Sequence, residues 1–135
     1  MRGEGERLMA RIRSIKPEAP KSLTLASWPR EVRLFWHYLS MYLDDRGRGI
    51  ENYRTILGEC FPWDQDVTEK KVQGWIELML RRATRNPGDE PALCRYEIHG
   101  ERYIHAPKWK KHQRINRPTE SRLPACPIHE PDGLF

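Results

Sequence analysis

Cysteine and histidine side chains of this sequence offer the donor atoms that zinc prefers. The closest pair is Cys126 and His129, three positions apart. Structural zinc sites usually show paired ligands at both ends of the motif, and no second close pair stands elsewhere in the chain. We therefore expect no metal site and no other cofactor. The remaining candidates that we considered are Cys94, His99, His105 and His112.

A second set of candidate binding residues lies in the cationic run between Cys94 and Pro124. It holds eight Lys or Arg and three acidic residues, whereas the whole chain has a formal net charge of +5. Lys and Arg bind phosphate oxygens, and a charge asymmetry of this kind is typical of a nucleic-acid-binding surface. We assign DNA contacts to Arg95, Arg102, Lys108, Lys110, Lys111, Arg114 and Arg117. His112 and Gln113 either contact phosphate as well or form hydrogen bonds within the fold.

No arrangement typical of a catalytic site is found in the sequence. It contains no Gly-rich phosphate loop with a lysine, no HExxH and no nucleophile elbow. Asp44 and Asp45 are adjacent acids, but the glycines that follow them indicate a turn. We expect a protein that is not an enzyme.

Length and composition predict one domain with tails. The chain has 135 residues, a mean hydropathy of −0.83 and three widely spaced cysteines. An odd number of distant cysteines does not indicate a disulfide framework, so we expect a reducing cytoplasm. No apolar run is long enough to predict a membrane partner.

Apolar spacing predicts three helices. The first covers 29–43, with apolar residues three and four positions apart, and the second covers 53–59 after a short strand at 50–51. The third begins after the cap Thr68 and extends to about residue 85, with Arg81, Arg82 and Arg85 in its last turn. On its exposed face, Lys70, Lys71 and Gln73 are candidates for contacts with base edges.

A β-hairpin is predicted over 94–105. His99-Gly100 stands where a two-residue turn would lie. That turn sets Tyr96 opposite Tyr103, and Glu97 opposite Arg102 as an opposite-charge pair. Trp109 after the hairpin is expected to pack onto the body. Three helices followed by a hairpin predict a small α+β winged helix-turn-helix fold in which the hairpin is the wing.

Five stretches resemble one family of phage and prophage proteins, the winged-helix replisome-organiser or replication-initiator-like proteins of actinobacterial phages. The most specific is KWKKHQRINRP (108–118), which is similar to that family's Trp-x-x-His-Gln-x-Ile-Asn-Arg-Pro segment. The others are ARIRSIKPE (10–18), WPREVRLF (28–35), DDRGR (44–48) and YEIHGERYIH (96–105). The loop at 86–91 is longer than the family's link into the wing. The resemblance implies DNA binding, and it implies that the cytoplasm is that of a bacterium or a phage-infected host cell.

We divide the chain into a flexible basic arm (1–22), a winged-helix domain (23–107) and a basic extension with a flexible tail (108–135). The expected function is binding of double-stranded DNA in phage or prophage replication initiation. A transcriptional regulator that uses the same surface is the first alternative, and a protein–protein adaptor of the replication machinery is the second. Replication or transcription proteins are the expected protein partners, and the sequence leaves the oligomeric state open.

Overall fold

A computed structural model describes residues 12–81 and 90–130 and shows a mixed α+β fold, as expected. Within these ranges, no helix is both long and apolar enough to cross a membrane. A 3-10 turn at Ala19–Lys21 precedes the first helix. The helices are α1 (Leu23–Ala26), α2 (Arg30–Tyr42), α3 (Tyr53–Cys60), α4 (Glu69–Met79) and α5 (Trp109–His112). The strands are β1 (Arg48–Ile50), β2 (Cys94–Ile98) and β3 (Glu101–His105).

Helix α2 forms the centre of the core. Pro29 precedes it, where the lack of an N–H costs nothing because that group would have no partner in the helix. Val32, Phe35 and Leu39 recur at helical spacing and are fully buried, and Leu43 continues the stripe. The predicted apolar face of this helix is confirmed.

Side-chain caps fix the starts of the next two helices. Asn52 accepts a hydrogen bond from the Thr55 amide at 3.0 Å, and Thr68 accepts one from the Lys71 amide at 3.1 Å. Each cap satisfies an amide that lacks a partner in the first turn. Ile56 of α3 and Ile76 of α4 are fully buried, and both belong to the same core cluster as the apolar face of α2.

The hairpin of β2 and β3 has the predicted register. Tyr96 faces Tyr103, and the two rings stack with their centroids 5.4 Å apart. His99 and Gly100 both have positive φ, at 51° and 83°, as a two-residue type I′ turn requires. Glu97 does lie opposite Arg102, but no ion pair joins them, and Arg102 donates instead to Tyr53 Oη at 3.4 Å.

The remaining strand, β1, lies beside β3 and gives the sheet order β1-β3-β2, with antiparallel neighbours throughout. We placed it at 50–51, but it runs from Arg48 to Ile50 and pairs Gly49 with Ile104. Position 49 must be small, because a Cβ there would lie 2.8 Å from Leu43 Cδ2. Strand pairing close to the end of α2 therefore requires the glycine that we had assigned to the turn.

The amino-terminal arm is not a separate flexible segment in the part that the structure describes. The side chain of Arg13 is only 3% exposed. Its guanidinium donates to the carbonyls of Ser40 at 2.8 Å and Leu43 at 2.9 Å, and it lies 3.1 Å from Asp45 Oδ1. These carbonyls at the end of α2 lack helical partners, so an arginine fork satisfies them. Residues 1–11 of the predicted arm lie outside the described residues.

The predicted boundary at residue 107 is also wrong, because the segment after it packs on the domain. Trp109 is buried, and its Nε1 donates to the Asp45 carbonyl at 2.8 Å, which confirms its structural role. Gly47 lies directly over the indole, with φ of 77°, and a Cβ there would lie 2.7 Å from the ring. Farther along, Cys126 and Glu130 are buried too. Residues 131–135 are outside the described range.

The Asp44-Asp45 turn holds the carboxy-terminal segment in place. Asp44 Oδ1 accepts from the amides of Arg46 and Arg48, which shapes the turn. Its Oδ2 accepts from Ser121 Oγ, and Asp45 Oδ2 accepts from the Thr119 amide at 2.9 Å. The turn was predicted correctly, but its carboxylates also bind distant segments of the chain.

Candidate nucleic-acid interface

The cationic run after the hairpin forms α5 and an extended segment, and its charges point outward. Trp109 anchors α5, so the neighbouring Lys110, Lys111 and His112 are left exposed. Ile115 packs partly against the core, while Arg114 and Arg117 on either side of it are exposed. Alternation of anchoring and exposed residues thus holds the cations on the surface of an ordered segment.

Four exposed cations of this run have no carboxylate within 4.0 Å among the described residues. By contrast, Arg13, Arg48 and Arg95 are held in ion pairs with Asp45, Glu130 and Glu51 respectively. Cations that lack an intramolecular counter-charge are available to an external anion. The four are Lys111, Arg114, Arg117 and Arg122, which we name the free cation row.

The amino-terminal segment adds charge next to α5. Gln113 accepts from the Ser14 amide at 2.8 Å and donates to the Ser14 carbonyl at 3.1 Å, so the two segments lie side by side. The pKa of His112 is lowered by partial burial of the ring and by the charges of Lys16, Lys111 and Lys108. The sequence did not lead us to count Lys16 with this surface.

Helix α4 presents a second polar surface. Lys70, Lys71 and Gln73 are exposed as predicted, and Gly74 beside them has open space above its Cα. Two acids of α4, Glu69 and Glu77, would repel phosphate, but each has a cationic neighbour. Glu69 pairs with Arg54 at 3.6 Å, and Glu77 pairs with Arg95 at 2.8 Å. These pairs reduce the negative charge on this side of α4.

Arg95 is committed to the fold rather than to an external anion. Its guanidinium donates twice to Glu51, at 2.8 and 2.6 Å, and once to Glu77 at 2.8 Å. The Glu51 side chain is fully buried, and burial would raise its pKa, but hydrogen bonds from Arg95 and Tyr53 lower it overall. Arg95 joins β2 to α4, so we remove it from the predicted DNA contacts.

The other predicted contacts divide into exposed and engaged side chains. Arg102 on the hairpin is exposed. Lys108 is half-buried at the start of α5, and Gln113 is occupied by Ser14. Of the two roles considered for Gln113, contact with phosphate or hydrogen bonding within the fold, the structure shows the second. His112 is exposed beside the lysines.

Three metal-binding side chains come together outside this surface. The donor atoms of Cys94, Cys126 and His129 all lie within 4.8 Å of one another. His105 lies opposite Cys94 in the sheet, and burial lowers its pKa to about 4. We had found no second pair for Cys126 and His129, but the hairpin register already implied that Cys94 and His105 face each other. Extending that register by two residue pairs from Tyr96 and Tyr103 would have found them.

No protein-family model, curated protein or solved structure matches this chain.

Proposed function

We propose that this chain is a winged-helix protein that binds double-stranded DNA, of phage or prophage origin, and that it acts in replication initiation. The free cation row carries the proposal. Lys111, Arg114, Arg117 and Arg122 are exposed, have no carboxylate partner among the described residues, and are held on an anchored segment. Each cation that meets a phosphate releases counterions, which favours binding at low salt.

The order of the elements supports the winged-helix assignment. Helices α2, α3 and α4 are followed by the β2–β3 hairpin, and β1 between α2 and α3 closes the sheet beside β3. In a winged helix the third helix enters the major groove and the hairpin contacts the flanking backbone. Here α4 would supply Lys70, Lys71 and Gln73, and the hairpin would supply Arg102.

We expect the extension to contribute more affinity than α4 or the wing. Arg95 of the wing is engaged with Glu51 and Glu77, which leaves Arg102 as its exposed cation. The exposed face of α4 has two lysines beside two acids. Phosphate contacts supply most of the sequence-independent affinity, and base contacts supply the specificity. The extension therefore positions the protein, and α4 reads the sequence.

The dependence of duplex binding on salt tests this surface. The double variant Lys111→Ala, Arg114→Ala should lower the slope of log K against log salt by roughly 1.8, at about 0.9 per phosphate contact. The matched control Lys21→Ala, Arg30→Ala removes the same charge from two other exposed sites. If both double variants behave alike, the assignment of this surface fails.

Selection of bound fragments from phage and host DNA tests the role. Clustered repeats would support replication initiation. Promoter-proximal operators would favour the transcriptional regulator, which uses the same residues. A chain that enriches no fragment and whose affinity is insensitive to the Lys111 and Arg114 changes would be better described as an adaptor.

A further inference from the structure

The Cys94, Cys126 and His129 cluster joins the hairpin to the last described turn of the chain. Cys94 opens β2, and Cys126 and His129 lie at the two ends of the turn that closes with the Glu130 amide donating to the Cys126 carbonyl at 2.7 Å. Cys126 is completely buried, and the other two are partly buried. The cluster shares no residue with the free cation row, so metal binding there does not depend on DNA binding.

Two distances within the cluster match a tetrahedral zinc site, and the donor atoms of the third pair, Cys94 and His129, lie within 4.8 Å. Cys94 Sγ and Cys126 Sγ are 3.8 Å apart, and Cys126 Sγ is 3.5 Å from His129 Nδ1. With Zn–S bonds of about 2.3 Å and Zn–N bonds of about 2.0–2.1 Å, a tetrahedron has an S···S edge of about 3.8 Å and an S···N edge of about 3.5–3.6 Å. A disulfide would instead need sulfur atoms about 2.05 Å apart.

Glu90 orients His129 as a zinc ligand would be oriented. Its Oε1 lies 2.9 Å from His129 Nε2. A carboxylate only accepts, so Nε2 donates to Glu90, and Nδ1 is the ring nitrogen that faces Cys126. Zinc-bound histidines usually donate their other N–H to a carboxylate in this way, which fixes the tautomer and the ring.

His105 supplies the second, independent observation. It is 2% exposed, and neither of its ring nitrogens has a hydrogen-bond partner among the residues that the structure describes. Its ring centroid is 5.7 Å from that of His129, and it faces Cys94 across the sheet. Glu130 Oε1 is the closest carboxylate oxygen to its Nε2, at 3.6 Å, which is too long for a hydrogen bond. A buried imidazole without a partner is costly unless something else binds it.

We infer that Cys94, Cys126 and His129 bind a structural zinc ion and that His105 takes the fourth position. Two thiolates and two imidazoles form a closed site with no open coordination position, so the ion would stabilise the fold and not act on a substrate. It would tie the carboxy-terminal segment to β2.

Zinc content and cobalt substitution test the site on the full chain, purified without a histidine tag. We expect about one zinc per chain, and Co²⁺ should give tetrahedral visible bands with a thiolate charge-transfer band. Cys126→Ser and His129→Ala should abolish stoichiometric zinc, and Cys126→Ser should weaken the charge-transfer band. Glu90→Gln should bind zinc about 10–100-fold more weakly.

Control variants separate the site from adventitious binding. Cys60 is a buried cysteine in α3, and His99 is an exposed histidine in the hairpin turn. Cys60→Ser and His99→Ala should keep the full zinc content. Circular dichroism on each variant shows whether it has folded. A folded wild-type chain that takes up no zinc, or that takes up the same amount after Cys126→Ser, overturns the inference, as does a Cys94–Cys126 disulfide in the freshly isolated protein.

The fourth position has its own test. Replacing a buried polar group that lacks a partner by an apolar group of similar size is expected to be neutral or stabilising. His105→Leu in the apo-protein should therefore keep or raise the melting temperature, while its zinc affinity falls and the cobalt bands change. Unchanged zinc affinity in this variant would show that His105 is not a ligand.

Discussion

Arg13 offers a sharp test of whether the amino-terminal segment belongs to the folded domain. Its guanidinium binds two carbonyls at the end of α2 and the carboxylate of Asp45, and it lies 5.1 Å from the centroid of the Trp109 ring. Arg13→Ala removes all four interactions together. The Asp45 side chain, which is 7% exposed, would lose its cation but keep the Thr119 amide.

The expected loss can be bounded from these contacts. Removing one partner of a buried ion pair typically costs about 3–5 kcal/mol, because the remaining charge stays buried. Arg13→Lys keeps the positive charge but loses the forked N–H donors of the guanidinium. We expect the free energy of unfolding to fall by about 1.5–3 kcal/mol, the value of one charge-assisted hydrogen bond. Ile12→Ala is the matched control. Ile12 is 86% exposed, so this substitution should change the free energy of unfolding by no more than about 0.5 kcal/mol.

Urea unfolding followed by tryptophan fluorescence measures these values at pH 7. The cost of Arg13→Ala should also depend on pH. Burial would raise the pKa of Asp45, but hydrogen bonds from Thr119 and the charge of Arg13 lower it below the ordinary value of 3.8. A carboxyl group whose pKa is lower in the folded protein than in the unfolded chain stabilises the fold. That contribution is complete at pH values above the pKa in the unfolded chain, and it is lost as the pH falls through the pKa in the folded protein. The difference between wild type and Arg13→Ala should therefore shrink below about pH 4.

A loss below about 1 kcal/mol at pH 7, the size of an ordinary neutral hydrogen bond, would refute the docking of this segment. The same conclusion would follow if Arg13→Ala and Ile12→Ala gave equal midpoints. A loss that stays constant from pH 7 to pH 3 would instead contradict the role given to Asp45.

Three further substitutions, the first with a matched control, test other contacts by the same urea assay. Gly47→Ala should cost more than about 1–2 kcal/mol, because position 47 has positive φ and the added Cβ meets Trp109, whereas Gly74→Ala in the open face of α4 should stabilise by about 0.5–1 kcal/mol; equal effects would contradict the packing of the indole. Glu51→Gln should cost about 1.5–3 kcal/mol at pH 7 and make the chain less sensitive to acid below about pH 4, because the lowered pKa of Glu51 stabilises the fold only above that range; an unchanged acid profile would speak against the Arg95 pairing. Thr68→Ala should cost about 1 kcal/mol through the lost cap of α4, and no loss would show that the cap is dispensable.

Local patterns in the sequence were sufficient for most of the secondary structure. The caps Asn52 and Thr68 act within three residues, and the His99-Gly100 turn fixes the pairing of the strands beside it. The spacing of apolar residues in α2 identified the buried face, because helical geometry alone decides which side chains share a face. The position of β1 was less accurate, since pairing with β3 across the sheet determines it.

Interactions between distant segments were not predictable in the same way. Arg13 looked like part of a solvated basic arm, and its partners Ser40 and Leu43 are 27 and 30 positions away. Arg95 looked equivalent to the other cations, but the structure pairs it with Glu51, 44 positions before it. Charge patterns identify which residues are cationic, while tertiary packing decides which of them already have a counter-charge.

The pairing of Arg48 with Glu130 has a consequence for how the chain is made. The guanidinium at the start of β1 is buried and binds the Leu123 carbonyl and the Glu130 carboxylate, which follow it by 75 and 82 positions. A ribosome makes these partners long after β1, when the helices α2, α3 and α4 and the hairpin have already been synthesised. Until then the nascent sheet carries an arginine whose counter-charge does not yet exist, and burying it alone is costly. We expect the final packing of β1 to wait until residue 130 has been synthesised, and a chain that stops at residue 107 to aggregate.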